Sequence, residues 1–409
     1  MRRASQEAAR GLCAAFLVLA AGAVATSAPA AGQDVSWEAS VRPRTETRDL
    51  GELETFFTSM QTRLGLAAAL GADVRLYAQL QDVRFWGGAS RVPSASANAF
   101  DLHQGFFELG HRGESTLWTR VGRQEMEFGN GRLVGAPEWS QTGRSFDGVR
   151  GAVTLGEHTV VDGFGMQLRE SLVAPDQGDA VLWGAWGTHT FPGHGELSLF
   201  WLHDRDGDDP EIARSTVGVH HTGSLGPATV RLEGAWQGGE VRGVDLSGAY
   251  MVAASLGTAL LQGRGSLEVG YDRYSGDASP EAGETAAFDD PYGRNHRFFG
   301  FADLFLDIPV QTDGRGIQDI RVRAGWGLPH DGRLQLDLHH FRVTDGTGLE
   351  SGELANEVDL TAAWSGLMEG FVGIQAGASW AGIGGAGDVL LELVTDDVWF
   401  GYAMVQVAF

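Results

Sequence analysis

An alternation of apolar and polar side chains with a period of two residues runs almost the length of the chain. From Val74 the sequence reads VRLYAQLQ, which places Val74, Leu76, Ala78 and Leu80 on one face and Arg75, Tyr77, Gln79 and Gln81 on the other. Leu64 and Leu66 oppose Gln61 and Arg63 in the same way. So do Ile320, Val322 and Trp326 against Asp319, Arg321 and Arg323, and Val358 and Leu360 against Glu357 and Asp359. Two architectures repeat such strands many times over. One is a soluble antiparallel sandwich with its apolar faces inward, and the other a transmembrane barrel with those faces turned to lipid.

The links between strands separate the two. Short links, among them Gly71–Asp73, Gly156–His158, Ser255–Ala259 and Gly366–Gly370, alternate with longer ones such as Trp86–Ala99, Gln124–Ser145, Glu170–Asp179, Gln237–Arg242 and Ser275–Gly316. Short turns on one rim and long loops on the other are the pattern of an outer-membrane barrel. The spacing predicts about eighteen antiparallel strands of ~10 residues, an even number that returns both ends to the short-turn side. The final segment, WFGYAMVQVAF, puts Ala403, Val405, Val407 and Phe409 on one face. Its aromatic end looks like the signal read by the barrel assembly machinery.

Composition agrees. Glycine makes up 60 of 409 residues, about twice its usual share, and argues against long helices. Beyond the first thirty residues the most apolar stretch, Ala249–Leu261, is too short to cross a bilayer as a helix and is broken by Ser255 and Gly257. With 53 acidic and 30 basic residues, all of the latter arginine, the formal charge of −23 excludes a nucleic-acid partner. Arg2, Arg3 and Arg10, the apolar Leu12–Ala25 and the small residues Ala28–Ala30 read as a secretory signal peptide over 1–30. The single cysteine, Cys13, leaves with it. Residues 31–409 are then one barrel domain in the bacterial outer membrane, bounded by lipid and lipopolysaccharide, and wide enough for an aqueous lumen.

One stretch carries more than strand periodicity. Residues 120–150 read RVGRQEMEFGNGRLVGAPEWSQTGRSFDGVR. The pattern formed by Gly122-Arg123-Gln124, Gly131-Arg132-Leu133, Gly135, Trp139, Arg144, Phe146-Asp147-Gly148 and Arg150 resembles the alginate export family of outer-membrane porins. A second block, FDDPYGRNHRFFGFADLF, is similar to that family at Tyr292, His296, Gly300 and Asp303. The resemblance implies an 18-stranded barrel, lined by arginines and narrowed by inward-folded loops, that passes an anionic polysaccharide or a related small anionic solute.

The residues themselves give part of this. Arg63, Arg75, Arg120 and Arg150 fall on the inward faces, and Arg123, Arg132 and Arg144 belong to the motif. Guanidinium groups make repeated weak sites for carboxylates, and conduction needs weak sites rather than one tight one. Neighbouring acids such as Glu108 and Asp147 offer salt bridges as the alternative. In later strands Glu196, Glu233, Glu268, Asp272, Asp319, Asp337, Glu357 and Asp359 also face inward, so a basic wall meets an acidic one. The loops 124–145 and 275–316 are the candidates for a constriction, with Arg294, His296, Arg297 and Asp303 in the second. Packing over the rim, or pairing as extra strand, is the other course open to that loop.

Other motifs are weaker. Asp204–Asp209 has calcium-loop spacing at its first acids but lacks the glycine at position six. His220-His221 and His339-His340 sit in strands, where neighbours point to opposite faces, so neither pair makes a metal site. Trp201, Trp326, Trp364, Trp380 and Trp399 fit an interfacial girdle. No cofactor is implied. The expectation is a passive channel without enzymatic activity. A general diffusion porin is the main alternative, and a barrel hydrolase using a Ser–His–acid group a lesser one, since no motif brings such residues together.

Overall fold

The computed structural model describes residues 33–51, 54–87, 100–169, 180–207, 212–279, 283–391 and 397–409. The expected signal peptide lies outside them, as does the link 170–179. Among the described residues eighteen strands form one closed antiparallel sheet. In chain order they are β1 Gln33–Asp49, β2 Glu54–Leu70, β3 Val74–Gly87, β4 Phe100–Leu109, β5 Leu117–Gln124 and β6 Phe146–Leu155. Then come β7 Thr159–Arg169, β8 Ala180–Phe191, β9 Gly195–Asp206, β10 Ile212–Leu225, β11 Ala228–Val241 and β12 Val244–Leu260. The last six are β13 Gly265–Tyr274, β14 Ile317–Leu328, β15 Gly332–Val343, β16 Glu353–Leu367, β17 Val372–Ile383 and β18 Val398–Ala408. A two-residue strand, Glu284–Thr285, runs parallel beside Asp245 and Leu246.

Each strand pairs with its neighbours in sequence, and the sheet closes where Ser40–Asp49 of β1 meets Trp399–Ala408 of β18. Closure gives every strand a partner on both sides, which a lipid environment demands. No helix of the described residues is long and apolar enough to cross a membrane.

Burial is inverted relative to a soluble protein. Leu64, Leu76, Val149, Leu199, Leu256, Ile320 and Leu360 are exposed on the outer surface, whereas Gln61, Gln81, Asp319, Glu357 and Asp359 are buried. Trp201, Trp326 and Trp399 are exposed on the outer face. The period-two faces therefore point as lipid requires, apolar out and polar in.

Two links differ from their sequence reading. Ser255–Ala259 lies inside β12, where Leu256 pairs with Val269 and is 54% exposed. The chain turns instead at Leu261–Gly263. Gln237–Arg242 is mostly strand, with a bulge between Gln237 and Gly239 and the turn at Arg242-Gly243. In both cases the small residues suggested a break, yet they still supply ladder hydrogen bonds.

The main buried apolar cluster comes largely from the long links. Met126, Phe128, Leu133 and Val134 join Phe288, Phe298, Phe299, Phe305 and Ile308, packed with the inward-facing Phe164, Trp186, Tyr274 and Phe341.

Candidate functional site

The segment between β5 and β6 is fastened to inward-facing polar groups on many strands. Arg42 of β1 donates to the Gln141 side chain at 2.8 Å and to the Glu138 carbonyl at 2.8 Å. Arg44 donates to the Trp139 carbonyl and lies 3.9 Å over its ring. Gln61 of β2 and Gln81 of β3 donate to the carbonyls of Gln141 and Thr142. Glu125 contacts His103 at 2.6 Å and Arg63 at 3.3 Å. Burial pushes its carboxyl upward, but the hydrogen bond from His103 and the charge of Arg63 outweigh that and hold it below the usual range. Toward the opposite wall, Arg132 pairs with Glu233 of β11 at 3.3 Å and Asp272 of β13 at 3.0 Å, while Phe128 stacks on Phe164 and Trp186.

The segment between β13 and β14 is held differently. Phe305 packs on Phe341 with ring centroids 4.8 Å apart, and Phe288 and Phe299 pack edge-on to Tyr274. The backbone amides of Ala302 and Phe301 donate to Glu357 and Asp359 of β16 at 2.7 and 3.3 Å. Gly300 has φ +82°, and a Cβ there would fall 2.4 Å from a Glu357 oxygen, so only glycine lets this turn approach the wall. Asp303 takes His296 at 2.5 Å and Arg48 at 3.1 Å. These two cations overcome burial and hold its carboxyl below the usual range. A single helical turn, Ile308–Gln311, follows.

The two segments also meet each other. Gly135 donates to the Tyr292 carbonyl at 2.9 Å. Arg294 reaches Glu127 and Glu138 at 2.6 and 3.3 Å. Trp139 stacks on His296 with centroids 4.1 Å apart, and His296 on Phe301 at 4.9 Å. A Cβ on Gly135 would stand 2.6 Å from the Arg294 side chain, which gives the motif glycine its reason.

Among the arginines singled out from sequence, most hold carboxylates. Arg63 holds Glu125, Arg75 and Arg120 share Glu108, Arg123 spans Asp101 and Asp147, Arg132 holds Glu233 and Asp272, and Arg150 holds Asp162. Two do not. Among the described residues Arg144 donates only to the carbonyls of Gly135 and Gly293, at 3.4 and 3.2 Å. Arg297 lies 6.0 Å from the Phe298 ring centroid and makes no ion pair among the described residues. Burial presses both guanidinium groups below their ordinary range.

Three cavities adjoin these residues. The first, of about 480 Å³, is lined by Arg144, Asp204, Arg214, Asp290 and Tyr292, and the second, of about 260 Å³, by Trp139, Arg144, His296 and Arg297. The third, of about 310 Å³, is lined by Arg297, Arg231, Arg321, Arg323, Arg333 and Glu268. Arg144 borders the first and second, and Arg297 the second and third. Volumes of this order suit small-molecule groups.

Arg42 and Arg44 were overlooked in sequence, although their alternation with Val41, Pro43 and Thr45 was readable. The stack of Trp139 on His296 had no local signal, because 157 positions separate the two rings. Among the described residues no group of His, Cys, Asp and Glu is arranged to hold a metal. Asp204 is engaged by Arg214 at 2.8 Å, and Asp208 and Asp209 lie outside the described residues. His339 is buried against Asp319, and its neighbour His340 faces outward to Asn356.

The sequence matches the family described as alginate export over residues 37–382. No curated protein matches it. Among solved structures it is similar to three from Pseudomonas aeruginosa, each with 92% of this chain covered. They are OccK3 (OpdO), at 16% identity, TM-score 0.63 and 96% of that chain; OccK2 (OpdF), at 12%, 0.64 and 98%; and OpdK with vanillate, at 12%, 0.63 and 98%.

Proposed function

Because the chain belongs to the alginate export family, and is thus an outer-membrane β-barrel channel of the bacterial envelope, we propose that its solute is an anionic saccharide of the polyuronate type, or a smaller carboxylate, moving passively. The two long links form the constriction in this reading. The observation that carries it is that Arg144 and Arg297, two guanidinium groups without carboxylate partners among the described residues, each line two of the three cavities. A carboxylate passing from the first cavity to the third meets one at each junction. Each offers a charge-assisted contact without a permanent trap. Arginines held by carboxylates, among them Arg63, Arg120, Arg132 and Arg150, set the shape of the walls.

A small solute is favoured by the relative OpdK, which was solved with vanillate, itself a carboxylate. A general diffusion porin is the second reading, favoured by the compensation of most lumen arginines by acids. Planar-bilayer recordings with added oligouronates separate them. The expected result is current block by oligouronates in the unmodified protein that weakens about tenfold or more in R144Q/R297Q. Equal block in both, or none in either, rejects the role given to these arginines.

A further inference from the structure

Two arginines on the outer face have no partner in the solute pathway. Arg273 of β13, Gln318 of β14 and Arg342 of β15 stand side by side in register, Arg273 opposite Gln318 and Gln318 opposite Arg342. Their inward-facing neighbours Asp272, Asp319, Phe341 and Val343 are buried, so the row itself points outward. Adjacent strands are ~4.8 Å apart, which puts the two arginines about 10 Å apart across the row.

Height is set by the girdle below. From the exposed Trp326 up to Gln318 the strand climbs about 27 Å at ~3.4 Å per residue. At a tilt of about 40° that is roughly 20 Å of membrane, close to the ~25 Å apolar band of such barrels. Between them the outward residues of β14 are Val322, Ala324 and the 51%-exposed Ile320. The row therefore stands at the rim that carries the long links, the outer-leaflet side.

Among the described residues the polar groups there lack a counter-charge. Arg273 donates to the Tyr250 hydroxyl at 2.9 Å, and Tyr271 donates to Gln318 at 3.1 Å. Arg342 is exposed and makes no ion pair among the described residues. Its register partner Glu353 accepts instead from the Asn356 amide. On a chain of net charge −23, two arginines kept free of carboxylates at a lipid boundary call for an anion from the lipid side.

We infer that this row binds the phosphate of an outer-leaflet glycolipid of the lipopolysaccharide type, with Arg273 and Arg342 as paired cationic contacts and the tyrosines holding Arg273 and Gln318 in place. Charge-assisted contacts to phosphate are the strong kind, and an interfacial arginine on the lipid face costs little once so engaged. The inference is independent of the solute.

Native mass spectrometry of the purified full chain with added lipid A tests it. The unmodified protein should retain lipid A, and R273Q/R342Q should retain it about tenfold less or weaker. R84Q, whose arginine is already paired with Asp82 at 2.6 Å, should match the unmodified protein, and heat-modifiable gel migration verifies that each variant is folded. Equal retention by the double variant, or equal retention of dephosphorylated lipid A by the unmodified protein, overturns the inference. Displacement by millimolar inorganic phosphate alone would overturn the lipid assignment and leave a free-phosphate site.

Discussion

The two segments that meet at the candidate constriction are held by different balances of charge and apolar contact. Residues 125–145 are tied to the wall mainly by charge and hydrogen bonds, through Arg42, Gln61, Gln81, Glu125 and Arg132, while Met126, Phe128, Leu133 and Val134 join the buried apolar cluster. Residues 283–311 are fixed mainly by buried aromatic surface around Phe288, Phe299 and Phe305. The first kind of attachment depends on matched charges in a low-dielectric setting, and losing one member leaves its partners exposed to the full cost of burial. The second depends on volume and shape, and responds to cavities rather than to charge. A constriction built from the two segments can be loosened on one side at a time.

The largest effect is expected from Arg132→Met. It leaves Glu233 and Asp272 buried without their shared cation, at a cost of about 3–5 kcal/mol. Limited proteolysis should then open 125–145 while 283–311 stays protected, and simultaneous opening of both would contradict their separate attachment. Phe305→Ala should do the reverse. The lost contact with Phe341 and the resulting cavity cost about 3–4 kcal/mol, with cleavage confined to 283–311.

A smaller effect follows from Trp139→Ala, which removes the stack on His296 and the face beneath Arg44, worth about 1–2 kcal/mol together. Because this ring joins the two segments, it should raise open-state current noise without exposing either segment to protease. Protection with noise unchanged would remove Trp139 from the junction.

The smallest is a pH dependence. Burial pushes the Asp290 carboxyl up to about 7, with Tyr274 and Asn295 donating to it. A raised acid favours the folded arrangement only while protonated. Its contribution is therefore fully present below its ordinary 3.8 and lost as pH rises through about 7. Gating noise should grow from pH 5 to pH 8 and flatten in Asp290→Asn. Noise that falls over that range has the wrong sign for this account.

The barrel was legible because one rule, period two, repeats along eighteen strands and fixes which side of each faces lipid. Even the misread links at Ser255 and Gly238 did not disturb it, since a shifted turn leaves the alternation intact. The inward arginines were legible for the same reason, and Arg42 and Arg44 would have been found by applying the rule to β1. Their state was not. Whether Arg150 is free or held by Asp162 depends on the register between β6 and β7, which pairs Ala152 with Asp162. One partner of Arg144 is the nearby Gly135, but the other, Gly293, comes from a segment 149 residues away, in register with nothing. Contacts between loops follow from shape, and shape has no period.

The central claim is that a solute meets unpaired guanidinium groups at the narrowest part of the channel. It is tested most directly by the reversal potential of the reconstituted channel in a potassium chloride gradient. The account predicts anion preference that diminishes in R144Q/R297Q. A cation-preferring channel, or one whose selectivity the double substitution leaves unchanged, would contradict it.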